Sequence, residues 1–327
     1  MIDTEQLKED FSKAKVLIIG DVMIDSYVWG KVSRISPEAP VPIVNVDRRE
    51  IRLGGAGNVA LNIKALGAEP ILCAVAGNDE ESRNLLYLLA KRKMQSDGIF
   101  QIPDRLTTVK HRILAGSQQM MRIDTETDNI IDSAHQEKLL DFVKEKIGEC
   151  HVVIFEDYDK GVLSADFIRQ VIKIASEKDI PTVVDPKKNQ FLDYAGATLF
   201  KPNLKELREG LKLDFYSTDF KAVEDSLFKL NKLMPVKSAM VTLSENGVMI
   251  SDFNKTHHIA AHKREIADVS GAGDTVISLA ALCLACKMPI EKIAAISNLG
   301  GGLVCEHLGV VPINLDLLIK EIGRLGI

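Results

Sequence analysis

The chain has 327 residues, enough for one large α/β domain with an insertion or for two domains. Hydrophobic residues make up 46% and charged residues 27%, and the formal net charge is −5 with both signs interspersed, which excludes a surface devoted to nucleic acid. No apolar run reaches the ~18–20 residues of a membrane span, and the five scattered cysteines form no disulfide framework.

The polar, acidic start MIDTEQLKEDFSKAK is not a signal peptide and predicts a short helix. A reducing cytoplasm is therefore the expected setting. The first strand follows at Lys15-Val-Leu-Ile-Ile-Gly-Asp21, and similar apolar runs recur at 71–76, 151–155, 181–185 and 238–242. Continuous runs of this kind suit strands buried on both faces of a parallel sheet. Helical patterns alternate with them at roughly 56–66, 80–94, 133–148, 164–178 and 220–233, so the fold class is α/β with right-handed crossovers. Helices close the chain near 272–287, 290–306 and 314–325.

Two stretches interrupt the rhythm. Residues 26–53 are strand-like but punctuated by Pro37, Pro40 and Pro42, and residues 106–124 read as a hairpin turning near Gly116. Both are expected in one small β layer standing off the main sheet, where proline blocks unwanted edge pairing. Cys283-x-x-Cys286 lies in an apolar helical run with no second pair, so it reads as buried small hydrophobes rather than zinc ligands. His257 and His258 are expected at a polar hairpin tip without a chemical role.

The chain has no G-x-x-x-x-G-K-[ST] loop. Its first glycine-rich loop is Gly54-Gly-Ala-Gly-Asn-Val-Ala60. Within it, Gly55-x-Gly57-x-x-Ala60 mimics a dinucleotide fingerprint, and Asp79 stands about where a ribose-binding acid belongs. A dehydrogenase is thus a competing reading, weakened because the loop follows the Pro-rich layer instead of the first core strand. A tight turn accounts for Gly54. It does not account for Asn58, whose amide suits a polyhydroxy ligand.

The second loop, Ile266-Ala-Asp-Val-Ser-Gly-Ala-Gly-Asp-Thr-Val-Ile277, reads as a strand running into an apolar helix. Gly271, Ala272 and Gly273 offer bare backbone amides at the helix N-terminus, where the dipole favours an anion. Asp274 follows in the first turn. As a mere first-turn carboxylate it contributes ~0.3–1 kcal/mol. Beside an amide nest able to hold a phosphoryl group, it is also the minimum equipment for phosphorylating a hydroxyl.

A third element, Phe200-Lys-Pro-Asn-Leu-Lys-Glu-Leu207, places Asn203 and Glu206 three apart at a helix start. A capping box explains the pair. The functional alternative has Asn203 facing nucleotide phosphate and Glu206 acting through water on Mg²⁺.

In this order, the three elements resemble the ribokinase-like (PfkB) family of carbohydrate kinases, from Gly20-Asp21 to about Gly309. Gly20-Asp-Val-Met-Ile-Asp25, Ser33-Arg-Ile-Ser-Pro-Glu-Ala-Pro-Val-Pro42, Asp157-Tyr-Asp-Lys-Gly161, Asp185-Pro-Lys187 and Lys201-Pro-Asn203 look most like its D-glycero-β-D-manno-heptose-7-phosphate kinases. In that group the kinase is often fused to a nucleotidyltransferase. No H-x-G-H is present, so a stand-alone kinase is expected.

The resemblance implies a three-layer α/β/α sandwich with a mostly parallel central sheet, a single domain over 1–327, and a small β lid from about 26–53 and 106–124 that often forms a dimer interface. It implies ATP and Mg²⁺, leaves open a monovalent cation, and gives Asp274 the role of base with the amides of Gly271 to Gly273 stabilising the transferring phosphoryl group. Asp25, Gly54, Gly55 and Asn58, with Lys160 nearby, would bind the sugar. Asn203, Glu206, Thr242, Ser244 and Gly247 would border the nucleotide, with Asn298 near adenine. A phosphate already on the substrate would need cations, for which Arg34, Lys110, Arg112 and Arg122 are the candidates. Glu156 departs from the heptose-kinase pattern, which carries a small residue there; Ser270 and Gly57 are milder changes. A family member acting on ribose, a fructose phosphate or a nucleoside, and a non-catalytic sugar-binding protein, are the other readings.

Overall fold

A computed structural model describes residues 2–116 and 118–327. Helix α1 (Thr4–Lys13) is capped by Asp3, whose carboxylate accepts from the amides of Glu5 and Gln6, and it delivers the chain to β1 (Lys15–Gly20). Two long strands follow, β2 (Val22–Ile35) and β3 (Pro42–Gly55), then α2 (Ala56–Ala65), β4 (Glu69–Gly77), α3 (Glu80–Lys91) and β5 (Ile99–Ile102). The hairpin β6 (Thr108–Ala115) and β7 (Gln118–Thr125) precedes α4 (Ser133–Lys146), β8 (Val152–Glu156), α5 (Ala165–Glu177) and β9 (Thr182–Asp185). Next come β10 (Leu199–Phe200), α6 (Leu204–Leu211), α7 (Phe220–Leu233), β11 (Ser238–Thr242), β12 (Val248–Ser251) and β13 (Thr256–Ile259). Helices α8 (Ala272–Ala285), α9 (Ile290–Val304) and α10 (Leu315–Leu325) end the chain.

Nine strands form the main sheet in the order β13-β12-β11-β10-β9-β8-β1-β4-β5. Eight of them run in one direction, and among the described residues β12 alone is reversed, paired antiparallel to β11 and to edge strand β13. Strand side chains alternate between faces, and β1 shows what that does to the core. Val16 and Ile18 join the cluster beneath α2, α8 and α9, whereas Leu17 and Ile19 join the opposite cluster beneath α4, α5 and α7. All four are fully buried. Each such side chain contributes about 1.5–3 kcal/mol, so the sheet is held from both sides and three layers result.

The second sheet has the order β3-β2-β6-β7. The Pro-punctuated segment and the later hairpin are therefore neighbours, with β2 paired antiparallel to β3 and parallel to β6. Ser117 and Met1 lie outside the described residues.

Several expectations need correcting. Residues 261–269 are irregular instead of a strand; the amides of Ala267 and Asp268 both donate to Cys305 O, at 2.8 and 3.2 Å. His257 and His258 sit within edge strand β13 and not at a hairpin tip, and His258 Nε2 lies 2.8 Å from Asn246 O. Asp79 caps α3 and accepts from Thr107 N at 2.8 Å and Thr107 Oγ1 at 2.7 Å, a structural clamp. Cys283 is fully buried on α8 and Cys286 half-buried. No described helix is long and apolar enough to cross a membrane.

Candidate active site

Strand order reverses between β1 and β8, and in open α/β sheets the crevice beyond the strand ends at such a point collects ligands. Asp21 leaves β1 there, and Glu156 closes β8. The Asp21 carboxylate accepts from the amides of Tyr158 at 2.8 Å, Lys160 at 3.1 Å and Val162 at 3.4 Å. Three amides fix the loop after β8, and that loop delivers Tyr158 to the site. Burial raises the Asp21 carboxyl, and these amides oppose the rise.

Asp274 stands in the first turn of α8, 5% exposed. Gly271 precedes the helix in the left-handed conformation (φ 79°), which glycine adopts without steric cost. A side chain there would also press on Asn58, whose Nδ2 would lie 3.1 Å from the added Cβ. Asn58, fully buried on α2, donates to Asp274 Oδ2 at 2.6 Å, and the Tyr158 hydroxyl donates to Oδ1 at 3.0 Å. Burial lifts the Asp274 carboxyl to about 6, helped by the nearby Asp185 charge and resisted by the two donors. The result is a carboxylate that is ionised at neutral pH yet basic enough to take a proton.

Asn58 thus faces the carboxylate at the centre of the site, and a second asparagine holds it in place. Asn62 Nδ2 donates to Asn58 O at 3.0 Å, while Asn62 Oδ1 accepts from Ile313 N at 3.0 Å and Thr275 Oγ1 at 3.2 Å. Helices α2 and α8 are locked together by amides in an otherwise apolar contact. Of the amides in the glycine nest, that of Ala272 turns back to Val269 O at 3.3 Å.

The sugar-side candidates gather beside Asp274. Gly55 and Gly54 end β3 opposite Val22 and Met23, and a Cβ on Gly54 would stand 2.5 Å from Asp25 Oδ2. Asp25 is 4% exposed and paired with Arg112. Its carboxyl is raised by burial, against the pull of Arg112, Lys110 and Arg52. Lys110 reaches Glu126 at 3.1 Å and Asp124 at 3.5 Å, and Lys160 reaches the other Glu126 oxygen at 2.9 Å. These two lysines are therefore already partnered. Arg122 lies beside Asp124 at 2.9 Å, and Arg34 is exposed toward the far end of β2. In register, Trp29 faces Arg48, Tyr27 faces Glu50 and Arg112, and Asp25 faces Arg52 and Lys110, so one face of the small sheet is rich in cations. The guanidinium of Arg48 lies over Trp29 at 5.0 Å and that of Arg52 over Tyr27 at 4.9 Å.

The nucleotide-side candidates form a neighbouring group. Asn203 caps α6 by accepting from Glu206 N at 2.9 Å, and Glu206 Oε2 accepts from Asn203 N at 2.8 Å, a complete capping box. The other Glu206 oxygen meets Lys187 Nζ at 2.6 Å. Asn203 bridges to Thr242 at the end of β11. A cleft of about 840 Å³ opens beside them, lined by Asn203, Lys205, Arg208, Lys212, Thr242 and Ser244 among others. Gly247 turns the chain into β12 (φ 86°), and Asn298 on α9 donates to Ala260 O at 2.9 Å. Among the described residues no three His, Cys, Asp or Glu side chains gather as a metal cage. A hard cation at Glu206 would rest mainly on water and phosphate oxygens, as Mg²⁺ commonly does.

The motif reading gave no role to Tyr158, Asn62, Asp21, Asp185, Lys187 or Lys201. Lys201 is 2% exposed and meets Asp185 Oδ2 at 3.0 Å; Lys187 also lies 5.0 Å over the Tyr158 ring. Each of the six except Asn62 stands at a strand end or within two residues past one. Glu156 is fully buried, and neither carboxylate oxygen has a hydrogen-bond partner.

Residues 13–316 match the model of the pfkB family of carbohydrate kinases. The bifunctional protein HldE of Geotalea uraniireducens is 36% identical over 99% of this chain and 66% of its own length. That of Syntrophotalea carbinolica is 39% identical over 93% and 62% respectively. This chain therefore spans a little under two thirds of these relatives. Among solved structures, phosphofructokinase-2 from Escherichia coli in complex with potassium superposes with a TM-score of 0.78 at 19% identity, covering 96% of this chain and 99% of that one. Ribokinase from Arabidopsis thaliana, complexed with ribose and ATP, gives 0.73 at 16% identity, covering 94% and 99%. These two establish a shared ribokinase-like fold.

Proposed function

The chain belongs to the pfkB family of carbohydrate kinases, and from that premise we propose that it transfers the γ-phosphoryl group of ATP to O1 of D-glycero-β-D-manno-heptose 7-phosphate, giving the 1,7-bisphosphate. The observation that carries the chemistry is Asp274, buried at the open N-terminus of α8 and held by Asn58 and Tyr158. Support for the sugar comes from the HldE relatives at 36–39% identity over nearly the whole chain and from the cationic face of the small sheet, suited to a substrate that already bears a phosphate.

Asp274 takes the proton of the acceptor hydroxyl as the oxygen attacks phosphorus in line with the departing ADP. Open amides at Gly271 and Gly273, with the helix dipole, stabilise charge on the transferring group. Asp25 and the backbone of Gly54 and Gly55 orient the sugar. Arg112 and Arg48 attract its distal phosphate, while Lys110 and Lys160 shape the wall through Glu126. Asn203, Thr242, Ser244 and Gly247 border the ATP phosphates, and Asn298 lies toward adenine. Glu206 would hold Mg²⁺ through water, and the ion would supply neutralisation of the phosphate charge. A monovalent cation is a further component of this reading, in keeping with the potassium-bound neighbour. The four-stranded sheet acts as a lid that excludes water, and its outer face joins two copies.

The test is a coupled ADP-release assay with Mg-ATP against heptose 7-phosphate, fructose phosphates, ribose and adenosine, with Asp274→Asn as control. Turnover confined to heptose 7-phosphate and lost in the variant is the expected result. Turnover on another sugar retains the kinase and rejects the heptose.

A further inference from the structure

Glu156 ends β8, in register with Gly20 of β1 and Asp185 of β9. Ile154 and Val152, two and four residues earlier, face the cluster under α8, so strand alternation points Glu156 to that same face. Asp185 and Asp274 flank it as like charges. The groups facing it from each packed element are Asp185 on β9, Lys187 after β9, Lys201 after β10, Tyr158 after β8 and Asp274 on α8; Asp21, after β1, donates its amide to Glu156 O at 3.0 Å. Both cations are committed elsewhere, Lys201 to Asp185 at 3.0 Å and Lys187 to Glu206 at 2.6 Å. Among the described residues no donor reaches either Glu156 oxygen.

A charged carboxylate with no exposure, no donor and two anionic neighbours is the costliest group a site can contain, whereas a neutral acid in the same place is tolerated. We propose that Glu156 is a positioning residue that works as a neutral, protonated carboxyl on the floor of the site, leaving Asp274 as the one unpaired negative charge beside the reacting atoms. Ionised, Glu156 would set a second negative charge under the incoming phosphoryl group and raise the proton affinity of Asp274, trapping the base in its protonated form. The same burial and neighbours hold its carboxyl well above the ordinary range. The catalytic part of this inference rests on the proposed role of Asp274; the charge state of Glu156 does not.

Two readouts separate them. In difference infrared spectra at pH 7.5, wild type minus Glu156→Gln shows a protonated-carboxyl C=O band, with Glu156→Ser as a second reference if the amide is poorly accommodated. Absence of that band against both variants overturns the proposal, whatever the enzyme phosphorylates. In the ADP-release assay, Glu156→Gln keeps kcat at pH 7.5 within about threefold and leaves the acid limb where it was, while the alkaline limb of wild type disappears. A downward move of the acid limb by about half a pH unit or more also overturns it, because it means that a charge was removed. Absence of turnover on every sugar, with the infrared band present, defeats the kinase reading and leaves the neutral Glu156 standing.

Discussion

The Tyr158 hydroxyl and the Asp274 carboxylate meet at 3.0 Å, although 116 residues separate them in the chain. Tyr158 is brought there by Asp21, which binds its backbone amide at 2.8 Å. A residue just past β1 thereby sets the hydrogen bond to the proposed base on α8.

Removing that hydroxyl is informative because the backbone contact survives. In Tyr158→Phe the Asp274 carboxylate loses a donor that holds its proton affinity down. The acid limb of the kcat profile moves to higher pH, and kcat at pH 7.5 falls about tenfold, within the range of a single charge-assisted hydrogen bond. An unchanged acid limb would show that the hydroxyl does not tune Asp274.

Asp274 itself carries a signed pH prediction. Its carboxyl is raised from 3.8 to about 6, with burial the first cause. As the proposed base it must be ionised, so activity is expected to be full above that value and to decline as pH falls through about 6. Stability runs the other way. A raised carboxyl binds its proton more tightly in the native state, so stability declines as pH rises from about 4 to 6 and the deficit is complete above. Asp274→Asn therefore abolishes turnover, leaves ATP affinity within about threefold by calorimetry, and stabilises the fold at pH 7.5 by on the order of 1–3 kcal/mol in chemical denaturation. Equal stability of the two proteins across pH 4–8 would contradict the raised carboxyl.

Much of this was legible in the sequence, and the misses share a cause. Apolar runs located β1, β4, β8, β9 and β11, because strands buried on both faces leave a continuous signature. Edge strand β13 left none, because Thr256-His-His-Ile259 carries no apolar run. Asp274 was legible because helix N-termini and glycine are local signals. Its partners were not: Asn58 and Tyr158 lie 216 and 116 residues away in the chain, and only the reversal of strand order between β1 and β8 brings them together. Asp79 misled for the complementary reason. A helix cap and a ribose ligand look alike in sequence, and the bonds to Thr107 decide between them.

Arg112 and Asp25 form a nearly buried pair, with side chains 15% and 5% exposed. Arg112→Ala strands the carboxylate and is expected to destabilise the protein by about 3–5 kcal/mol. Asp25→Asn in the same chain restores a good part of that loss, because it removes the orphaned charge. KM for a phosphorylated sugar rises more than KM for an unphosphorylated one in Arg112→Ala. Equal rises for both substrates would remove Arg112 from the phosphate-binding role and leave it only the pairing with Asp25.

The small sheet also has a second face. Register places Val28, Val32, Val46, Ile113, Met121 and Ile123 opposite the side that carries Asp25, Tyr27 and Trp29. Met121 is 57% exposed and Ile123 48%. Exposed apolar residues grouped on one sheet face are uncommon on a protein that works alone, and pairing with a second copy removes them from water. Sedimentation equilibrium of wild type is expected to give a dimer, and Met121→Asp with Ile123→Asp a monomer whose melting temperature differs little when measured at low concentration. A wild-type monomer at tens of micromolar, or a doubly substituted dimer, would exclude this face as the contact. Because the opposite face carries Asp25 of the proposed sugar site, the monomeric variant is expected to show a raised KM for sugar with KM for ATP unchanged, the signature of a lid steadied from outside.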